Sequence, residues 1–300
     1  MNQHKQQGAV LITTLFMTAL ASLLAASIAF KEHLFFQSSD GIEQWRKAYQ
    51  NWQLLTARIT TALAKNSKGA VISKLATTNT IVSVNGMKFN VSVQDAQGRY
   101  NINNITNPNQ VSTVKSLLLN IKPSLDATSA NDFSKETKNW IQPGKNTNSD
   151  SFYLRKTPPY YPSHGPLFHI SELRLIKGFQ SLDIPWIQWQ THFIALPSSI
   201  RVNRYDASPA VLSAVFQTDI NTAQRFHDCV QSTPTPSVCD AEYLSQSQLN
   251  ATVDSTQFIL IQAIMNRENL PPLRFSSLLQ ITPSHNTLTF TPLWQRLLES

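Results

Sequence analysis

The 300-residue sequence contains little glycine and no regular cluster of metal-binding side chains. None of its eight glycines belongs to a Gly-x-Ser-x-Gly, a Walker loop or a dinucleotide-binding fingerprint, so the sequence argues against phosphate-binding loops. The seven histidines are scattered, and His164 and His169 have no cysteine or carboxylate at zinc-ligand spacing. We therefore predict that the protein is not an enzyme and has no catalytic residues, metal site or cofactor.

Charge is also sparse and is not concentrated in any segment. Charged residues make up 14% of the chain, and the formal net charge of +7 includes no run of lysine or arginine longer than two residues. No nucleic-acid-binding motif is present, so a nucleic-acid partner is not expected. Hydrophobic residues make up 41% of the chain, which is enough for a packed core in one large or two small domains.

Cysteine occurs only twice, as Cys229 and Cys239. An even pair this close in sequence fits a disulfide in an oxidising compartment, and two reduced buried thiols are the alternative. We predict the disulfide, which favours a location outside the cytoplasm for the bulk of the chain.

Residues 9–30 carry no charge at all. As a helix they would span about 33 Å, which matches a bilayer core of roughly 30 Å and predicts a transmembrane segment. A short polar leader ending in Gly8 precedes them, unlike an ordinary signal peptide. This arrangement resembles the class III leader of type IV pilins and type II secretion pseudopilins, which implies cleavage between Gly8 and Ala9; a plain membrane anchor is the alternative.

One acidic residue of that family pattern is missing. Most pilin-like proteins carry glutamate at the fifth mature position, where this sequence has Thr13. A carboxylate in lipid needs a partner, which in these filaments is the N-terminal amine of a neighbouring subunit. In lacking this glutamate, the sequence resembles the K-type minor pseudopilin of type II secretion, which sits at the filament tip.

Residues 31–65 continue the helix as a stem. Their apolar side chains recur every three or four residues, so we expect one long helix to about Lys65. Asn85-Gly86 between the alternating runs 80–84 and 88–93 predicts a β-hairpin, and a third strand is expected at 99–103. A long helix followed by an antiparallel sheet indicates an α+β fold.

From about Asn104 to Asn250 the pattern is helical and strand signals vanish, whereas strands return at 258–261, 274–279 and 287–291. Strands, a helical block and strands again predict one sheet interrupted by an inserted helical domain. The expected helices run from a cap at Ser112 to residue 121, from Asn131 or Ser134 to 141, from Ser171 to Gly178, from Pro209 to 216, and from a cap at Asp219 to Cys229.

Several segments resemble the K-type minor pseudopilin in order and spacing across nearly the whole chain. The sequence Gly-Arg-Tyr-Asn-Ile-Asn-Asn at 98–104 resembles that family's turn into its helical insert, whereas Arg204, Tyr205 and Asp206 depart from the family pattern. The other similar segments are 140–141, 158–160, 171–178, Val202-Asn203 with 207–212, and Ser255 with Phe258.

The resemblance implies a type IV pilin-like fold, with a long N-terminal helix on an antiparallel sheet and an inserted helical domain of SAM-like or helix-hairpin-helix-like character. The implied organisation is a leader at 1–8, a transmembrane helix at 9–30, stem helix and first strands at 31–103, the insert at 104–250 and closing strands at 251–300. It also implies a tip-capping minor pseudopilin that helps start pseudopilus assembly and protein export across the outer membrane.

The implied partners are the I- and J-type minor pseudopilins, the major pseudopilin, the prepilin peptidase and the inner-membrane assembly platform. The implied location is the inner membrane, crossed once, with the bulk of the chain in the periplasm. A minor pilin of a type IV pilus is the nearest alternative, although it would normally keep the glutamate where Thr13 stands. A membrane-anchored periplasmic enzyme is the other alternative.

Family members can bind calcium in the loop after the Trp-Ile pair. Calcium takes 6 to 8 oxygen ligands, with several carboxylates among them. Between Gln142 and Asp150 this loop offers Asp150 as its one carboxylate and places Lys145 among neutral groups. We therefore predict that no calcium is bound here.

Overall fold

The computed structural model describes residues 3–66, 78–142, 150–197, 199–267, 270–284 and 287–299, and it combines helices with an antiparallel sheet. The predicted mixture of helix and sheet is therefore confirmed. The helices are α1 (Gln3–Asn66), α2 (Gln110–Ile121), α3 (Ala127–Ile141), α4 (Asp150–Leu154), α5 (Trp186–His192), α6 (Pro209–Phe216), α7 (Ile220–Ser232), α8 (Ser237–Tyr243) and α9 (Gln246–Ala251). The strands are β1 (Thr78–Val84), β2 (Met87–Asp95), β3 (Tyr100–Asn101), β4 (Phe193–Ile194), β5 (Val202–Asn203), β6 (Thr252–Val253), β7 (Phe258–Arg267), β8 (Leu270–Ser284) and β9 (Thr287–Glu299).

The chain divides into two units. The first contains α1 up to Arg58 together with the hairpin turn at 83–87, and the second contains residues 59–82 and 88–300. In the first unit α1 continues through the serines and glycine at 38–41, and the predicted long helix is confirmed. On its later part Asn51 Oδ1 accepts a hydrogen bond of 2.7 Å from Asn85 Nδ2, and Ala48, Trp52 and Leu55 are buried on the same side.

The second unit contains most of a five-stranded sheet with the order β1-β2-β7-β8-β9. Asn85 and Gly86 occupy the turn between β1 and β2 with φ of 48° and 81°, so the predicted hairpin is confirmed. The strands predicted at the C-terminal end are also present and longer than expected. Strand β2 pairs antiparallel with β7, from Asn90 opposite Ile264 to Asp95 opposite Ile259. The chain thus leaves the sheet after Asp95 and returns at Phe258 into a neighbouring strand.

Between β2 and β7 the chain folds into a helical block with its own apolar core. Aromatic rings form its centre: Trp189 lies 5.5 Å from Phe133 and 5.1 Å from Phe193, and Phe193 lies 6.2 Å from Tyr100, measured between ring centroids. These four side chains are almost completely buried. Burial of each such ring stabilises the folded state by about a few kcal/mol.

The third strand that we predicted for the sheet is wrong. Tyr100–Asn101 forms β3, but it pairs in parallel with β4 inside the helical block, and the chain then enters a 3₁₀ helix at Ile102–Thr106. Asn101 accepts a hydrogen bond from the backbone N–H of Asn103, which turns the chain away from the sheet. The short strands β4 and β5 also contradict the prediction that strands are absent between 104 and 250.

Two predicted helix starts are wrong as well. Helix α2 begins at Gln110 rather than at a Ser112 cap, and α3 begins at Ala127 because Asp126 caps it by accepting a 2.8 Å hydrogen bond from the Ser129 N–H. The helix expected at 171–178 is a 3₁₀ helix, Ile170–Leu175, capped by His169. The starts expected at Pro209 and after Asp219 are confirmed.

Candidate functional site

The first candidate site is the apolar N-terminal part of α1. Within the described residues, Leu15–Glu32 is the one helical stretch long and apolar enough to cross a membrane, and none of its side chains is buried. Such a surface is unfavourable in water and fits contact with lipid or with other apolar helices. Gly8, Ala9 and Thr13 lie on the preceding turns of α1, and cleavage at Gly8 and the role of Thr13 remain predictions.

The second candidate site is the junction at which the chain leaves and re-enters the sheet. Asp95, at the end of β2, is only 6% exposed. Its Oδ1 accepts a 2.7 Å hydrogen bond from the Gln97 N–H, and its Oδ2 accepts bonds from Asn203 Nδ2 at 2.6 Å and Thr256 Oγ1 at 2.8 Å. One carboxyl group therefore joins the end of β2, strand β5 and the segment before β7.

This carboxyl group is held in a low-dielectric position. Burial raises the pKa of Asp95 above its ordinary value, although the hydrogen bonds from Gln97, Thr256 and Asn203 oppose that shift. The Asn203 amide also donates to Asp206 Oδ2 at 3.2 Å, so two carboxyl groups share one amide. These hydrogen bonds link three segments of the chain at one point.

Gln97 and Gly98 bring other segments of the chain close together at the same junction. The Gln97 side chain donates to the Arg201 carbonyl at 3.0 Å and accepts from the Gln257 N–H. A Cβ on Gly98 would lie 2.5 Å from the Asp206 carbonyl oxygen, a distance that real side chains do not adopt. Glycine at this position therefore allows two backbone segments to approach each other.

Three buried asparagines after Gly98 hold the loops of the helical block. Asn103 Nδ2 donates to the carbonyls of Leu167 at 3.0 Å and Leu196 at 2.7 Å, and its Oδ1 accepts from the Leu167 N–H at 2.8 Å. Asn101 Oδ1 accepts from the Leu196 N–H. Asn104 bonds both backbone groups of Ile200. The Asn-rich motif that resembles the family turn thus supplies hydrogen bonds that the loop backbone would otherwise lack.

The residues that depart from the family pattern also have a structural role. Arg204 binds Asp240 with two hydrogen bonds of 2.7 and 3.0 Å, and the Tyr205 hydroxyl donates to the same carboxylate at 2.8 Å. Burial, followed by the hydrogen bond to Asp240, raises the pKa of Tyr205 to about 12, so it stays protonated. The predicted disulfide is present beside this cluster and joins Cys229 of α7 to Cys239 of α8.

The histidines considered in the sequence are part of local structure. His169 caps the 3₁₀ helix by accepting from the Ser171 N–H, and its ring lies 5.3 Å from Trp294. His164 lies 3.7 Å from Asp150. Most of the loop considered for calcium, residues 143–149, lies outside the described residues, so the absence of calcium stays a prediction. Within the described part of the chain, no three metal-binding side chains cluster.

Sequence reasoning missed the junction residues Asp95, Asn203 and Thr256. These residues lie far apart in sequence, and the local pattern around each of them indicates only a turn or the end of a strand. The buried asparagines at 101, 103 and 104 are a separate group, and the density of asparagine there is a signal that could have indicated them, because buried asparagines need several partners.

Similarities to known proteins agree with this architecture. Residues 98–186 match the family model of type II secretion system (T2SS) protein K. The chain is 23% identical to the type II secretion system protein K of Pseudomonas aeruginosa over 250 residues, covering 74% of this chain and 72% of the relative. Its fold resembles that of a chain in the crystal structure of the GspK-GspI-GspJ complex from the type 2 secretion system of enterotoxigenic Escherichia coli. That match has a TM-score of 0.59 and 19% identity, and it covers 85% of this chain and 99% of the other.

Proposed function

Because the chain belongs to the family of type II secretion system protein K, we propose that it is the minor pseudopilin that caps the tip of the type II secretion pseudopilus. In that position it helps to start filament assembly and protein export across the outer membrane. Its role is structural, and no enzymatic activity is proposed.

The observation that carries this proposal is the course of the chain through the sheet. Strands β2 and β7 are neighbours, yet residues 96–257 lie between them in sequence and contain the helical block. We propose that this block is the insert of a pilin-like fold. A thin filament built of such subunits would have to accommodate a helical block at every step, whereas its end has to accommodate only one.

The N-terminal segment supports the same position. We propose that prepilin peptidase cuts between Gly8 and Ala9 and that the apolar part of α1 then anchors the protein in the inner membrane, with the bulk of the chain in the periplasm. With Thr13 in place of glutamate, the mature chain has no carboxylate to pair with the terminal amine of a subunit above it. A position at the end of the filament requires no such pairing.

We propose that the partners are the I- and J-type minor pseudopilins, the major pseudopilin and the inner-membrane assembly platform. The similarity to a chain of the GspK-GspI-GspJ complex supports the I- and J-type minor pseudopilins as partners.

Labelling of assembled filaments tests the tip role. The full chain, carrying a small C-terminal tag, is expressed with the other pseudopilins of its system, and sheared filaments are stained with gold-labelled antibody. We expect label at one end of each filament, and the same tag on the major pseudopilin should label the whole length as a control. Label from our chain spread along the shaft would contradict the proposal.

Mass spectrometry of the mature protein tests the leader. We expect a chain that begins at Ala9 when prepilin peptidase is present and at the start methionine when it is absent. The Gly8→Val variant should keep its leader in both cases, whereas Gly165→Ala should be processed normally. A wild-type chain that retains residues 1–8 in the presence of the peptidase would remove the pilin-type assignment of the N-terminus.

A further inference from the structure

A groove of about 710 Å³ lies within the second unit, between one face of the sheet and the helical block. This volume is within the range of roughly 300–1,000 Å³ that is usual for ligand sites. The helical block contributes His169, Ile187, Gln190 and Thr191 to its wall.

The sheet side of the groove carries polar and charged side chains beside apolar ones such as Leu260 and Ile264. The register places one residue from each of four neighbouring strands in a central row, namely Ser92, Gln262, Ser276 and Arg296. Asn90 and Arg274 lie in the row on one side of it, and Gln94 and Trp294 lie in the row on the other side. On the opposite face of the same strands, Phe89, Val91 and Ile261 are apolar and buried.

Three arginines line this groove: Arg274 and Arg296 have no carboxylate partner within the described residues, and Arg99 is attracted by the nearby Asp95 carboxylate without forming an ion pair with it. Arg274 is exposed, Arg99 and Arg296 are half-buried, and within the described ranges none of them forms an ion pair. Arg99 donates a hydrogen bond to Gln94. The acidic groups that line the groove, Asp95 and Asp206, already accept hydrogen bonds from Asn203.

The positive charge of the groove comes from these arginines rather than from His169. Burial and the nearby Arg296 lower the pKa of His169 to about 4, so its ring is neutral at physiological pH. Desolvation lowers the pKa of Arg99 to about 10, although the nearby Asp95 carboxylate opposes that shift, and Arg99 remains charged.

We propose that this groove binds an extended acidic segment of a partner protein, whose carboxylates pair with Arg274, Arg296 and Arg99. Guanidinium groups bind carboxylates with two parallel hydrogen bonds, and an occupant with complementary charge would give Arg274 and Arg296 the carboxylate partners that they lack within the described residues. The groove assignment does not rest on the tip position of the protein.

The spacing of the arginines favours an extended chain over a small anion. Arg274 and Arg296 are diagonal neighbours on β8 and β9, about 7–8 Å apart. Alternate side chains of an extended peptide lie on one side at a similar spacing of about 7 Å. Arg99 donates a hydrogen bond to Gln94 on β2. Gln94 lies three strand spacings, about 14 Å, from Trp294 on β9. A single small anion cannot pair with arginines at both ends of the groove.

Fluorescence anisotropy of the full chain in detergent tests this inference. The probe is a labelled short peptide in which glutamate alternates with serine, and the control peptide has glutamine in place of glutamate. We expect the glutamate peptide to bind about tenfold more tightly or better, and we expect its affinity to fall as salt is raised. Equal binding of the two peptides would overturn the inference.

A matched pair of variants places the binding in the groove. The Arg274→Gln/Arg296→Gln double variant should weaken binding of the glutamate peptide about tenfold. The Arg155→Gln/Arg225→Gln variant removes the same charge from exposed arginines of the helical block outside the groove, and it should change binding less than twofold, about the scatter for surface substitutions. An equal loss in both variants would mean non-specific attraction and would overturn the inference.

Gln262→Glu provides a second variant that leaves the arginines intact. It adds a carboxylate to the central row, two strands from Arg296, and should weaken binding of the glutamate peptide by competing for the arginines. Unchanged binding in Gln262→Glu, or complete displacement of the peptide by sulfate at equal ionic strength, would contradict a peptide site. Filament labelling along the shaft would end the tip proposal and leave these binding results unaffected.

Discussion

The sheet and the helical block of the second unit are held together by different kinds of contact. Strands β7, β8 and β9 follow one another in sequence and pair through backbone hydrogen bonds in continuous registers. The helical block instead depends on side chains that bond the backbone of distant loops, such as Asn103 with Leu167 and Leu196. The sheet is therefore built by repetition of a local pattern, whereas the block is built by a few specific long-range contacts.

This difference predicts where the molecule is sensitive to substitution. A residue on an exposed strand position shares its role with many equivalent neighbours. A buried amide at a loop has no substitute, because its loss leaves several backbone groups without partners. The following substitutions test that contrast, with effects on the free energy of unfolding of the detergent-solubilised full chain.

Asn103→Ala is expected to have the largest effect, a loss of about 3–5 kcal/mol. The variant leaves the Leu167 N–H and the Leu167 and Leu196 carbonyls buried without the bonds that Asn103 makes, at about 1–3 kcal/mol for each unsatisfied group. The matched control is Asn90→Ala at an exposed position of β2, which should change stability by less than about 0.5 kcal/mol. Chemical denaturation measures both, and similar losses for the two variants would contradict the contrast.

Removal of the disulfide by Cys229→Ala/Cys239→Ala should cost about 3 kcal/mol. The crosslink spans 10 residues and restricts the unfolded chain, which gives this magnitude in the chain-entropy description. Hydrogen exchange should show faster exchange in α7 and α8 and unchanged exchange in β7 and β8. A reductant should destabilise the wild type and leave the double variant unaffected; sensitivity of the variant to reductant would refute this assignment.

Gly98→Ala should destabilise the junction by about 2 kcal/mol, since its Cβ would collide with the Asp206 carbonyl and force a backbone shift. Gly165→Ala is the matched control, because the nearest atom to a Cβ there is 3.7 Å away, an ordinary contact. Thermal unfolding followed by circular dichroism compares the two. A Gly98→Ala variant as stable as Gly165→Ala would show that the two backbone segments do not need to approach so closely.

His169 should make a small pH-dependent contribution, about 1 kcal/mol, to the free energy of unfolding. Its folded pKa of about 4 is below the ordinary 6.5, so as the pH falls from 6.5 to 4 the unfolded chain gains a proton that the folded protein excludes. The stability that this group contributes is therefore present above pH 6.5 and is lost towards pH 4. Partial exposure of the ring to solvent limits the size of this contribution.

His169→Asn keeps a hydrogen-bond acceptor at the helix cap and removes the titrating ring. We expect its free energy of unfolding to fall less than that of the wild type between pH 7 and pH 5, a range that covers the unfolded pKa. Denaturant titrations at both pH values measure the difference. An equal fall in the two proteins would show that His169 does not contribute to the pH dependence.

Local sequence patterns predicted the elements that form from neighbouring residues. The hairpin at Asn85-Gly86 follows from residues that accept positive φ, and the start of α6 follows from Ser208 and Pro209, which suit the first turn of a helix. The third strand at 99–103 was also predicted from a local pattern, and its place in the sheet is wrong. Tyr100 and Asn101 pair with β4, far along the chain. Strand propensity states that a segment can pair and does not state with which segment it pairs.

The sequence by itself determined the apolar N-terminal helix, the mixed helical and sheet composition and the pairing of its two cysteines. These features depend on hydrophobicity, periodicity and proximity along the chain. Only the tertiary structure decided that Asp95, Asn203 and Thr256 meet at one junction and that three arginines line one groove. Those arrangements depend on how β2, β7, β8 and β9 align with one another and with loops many residues away, and no local pattern encodes that alignment.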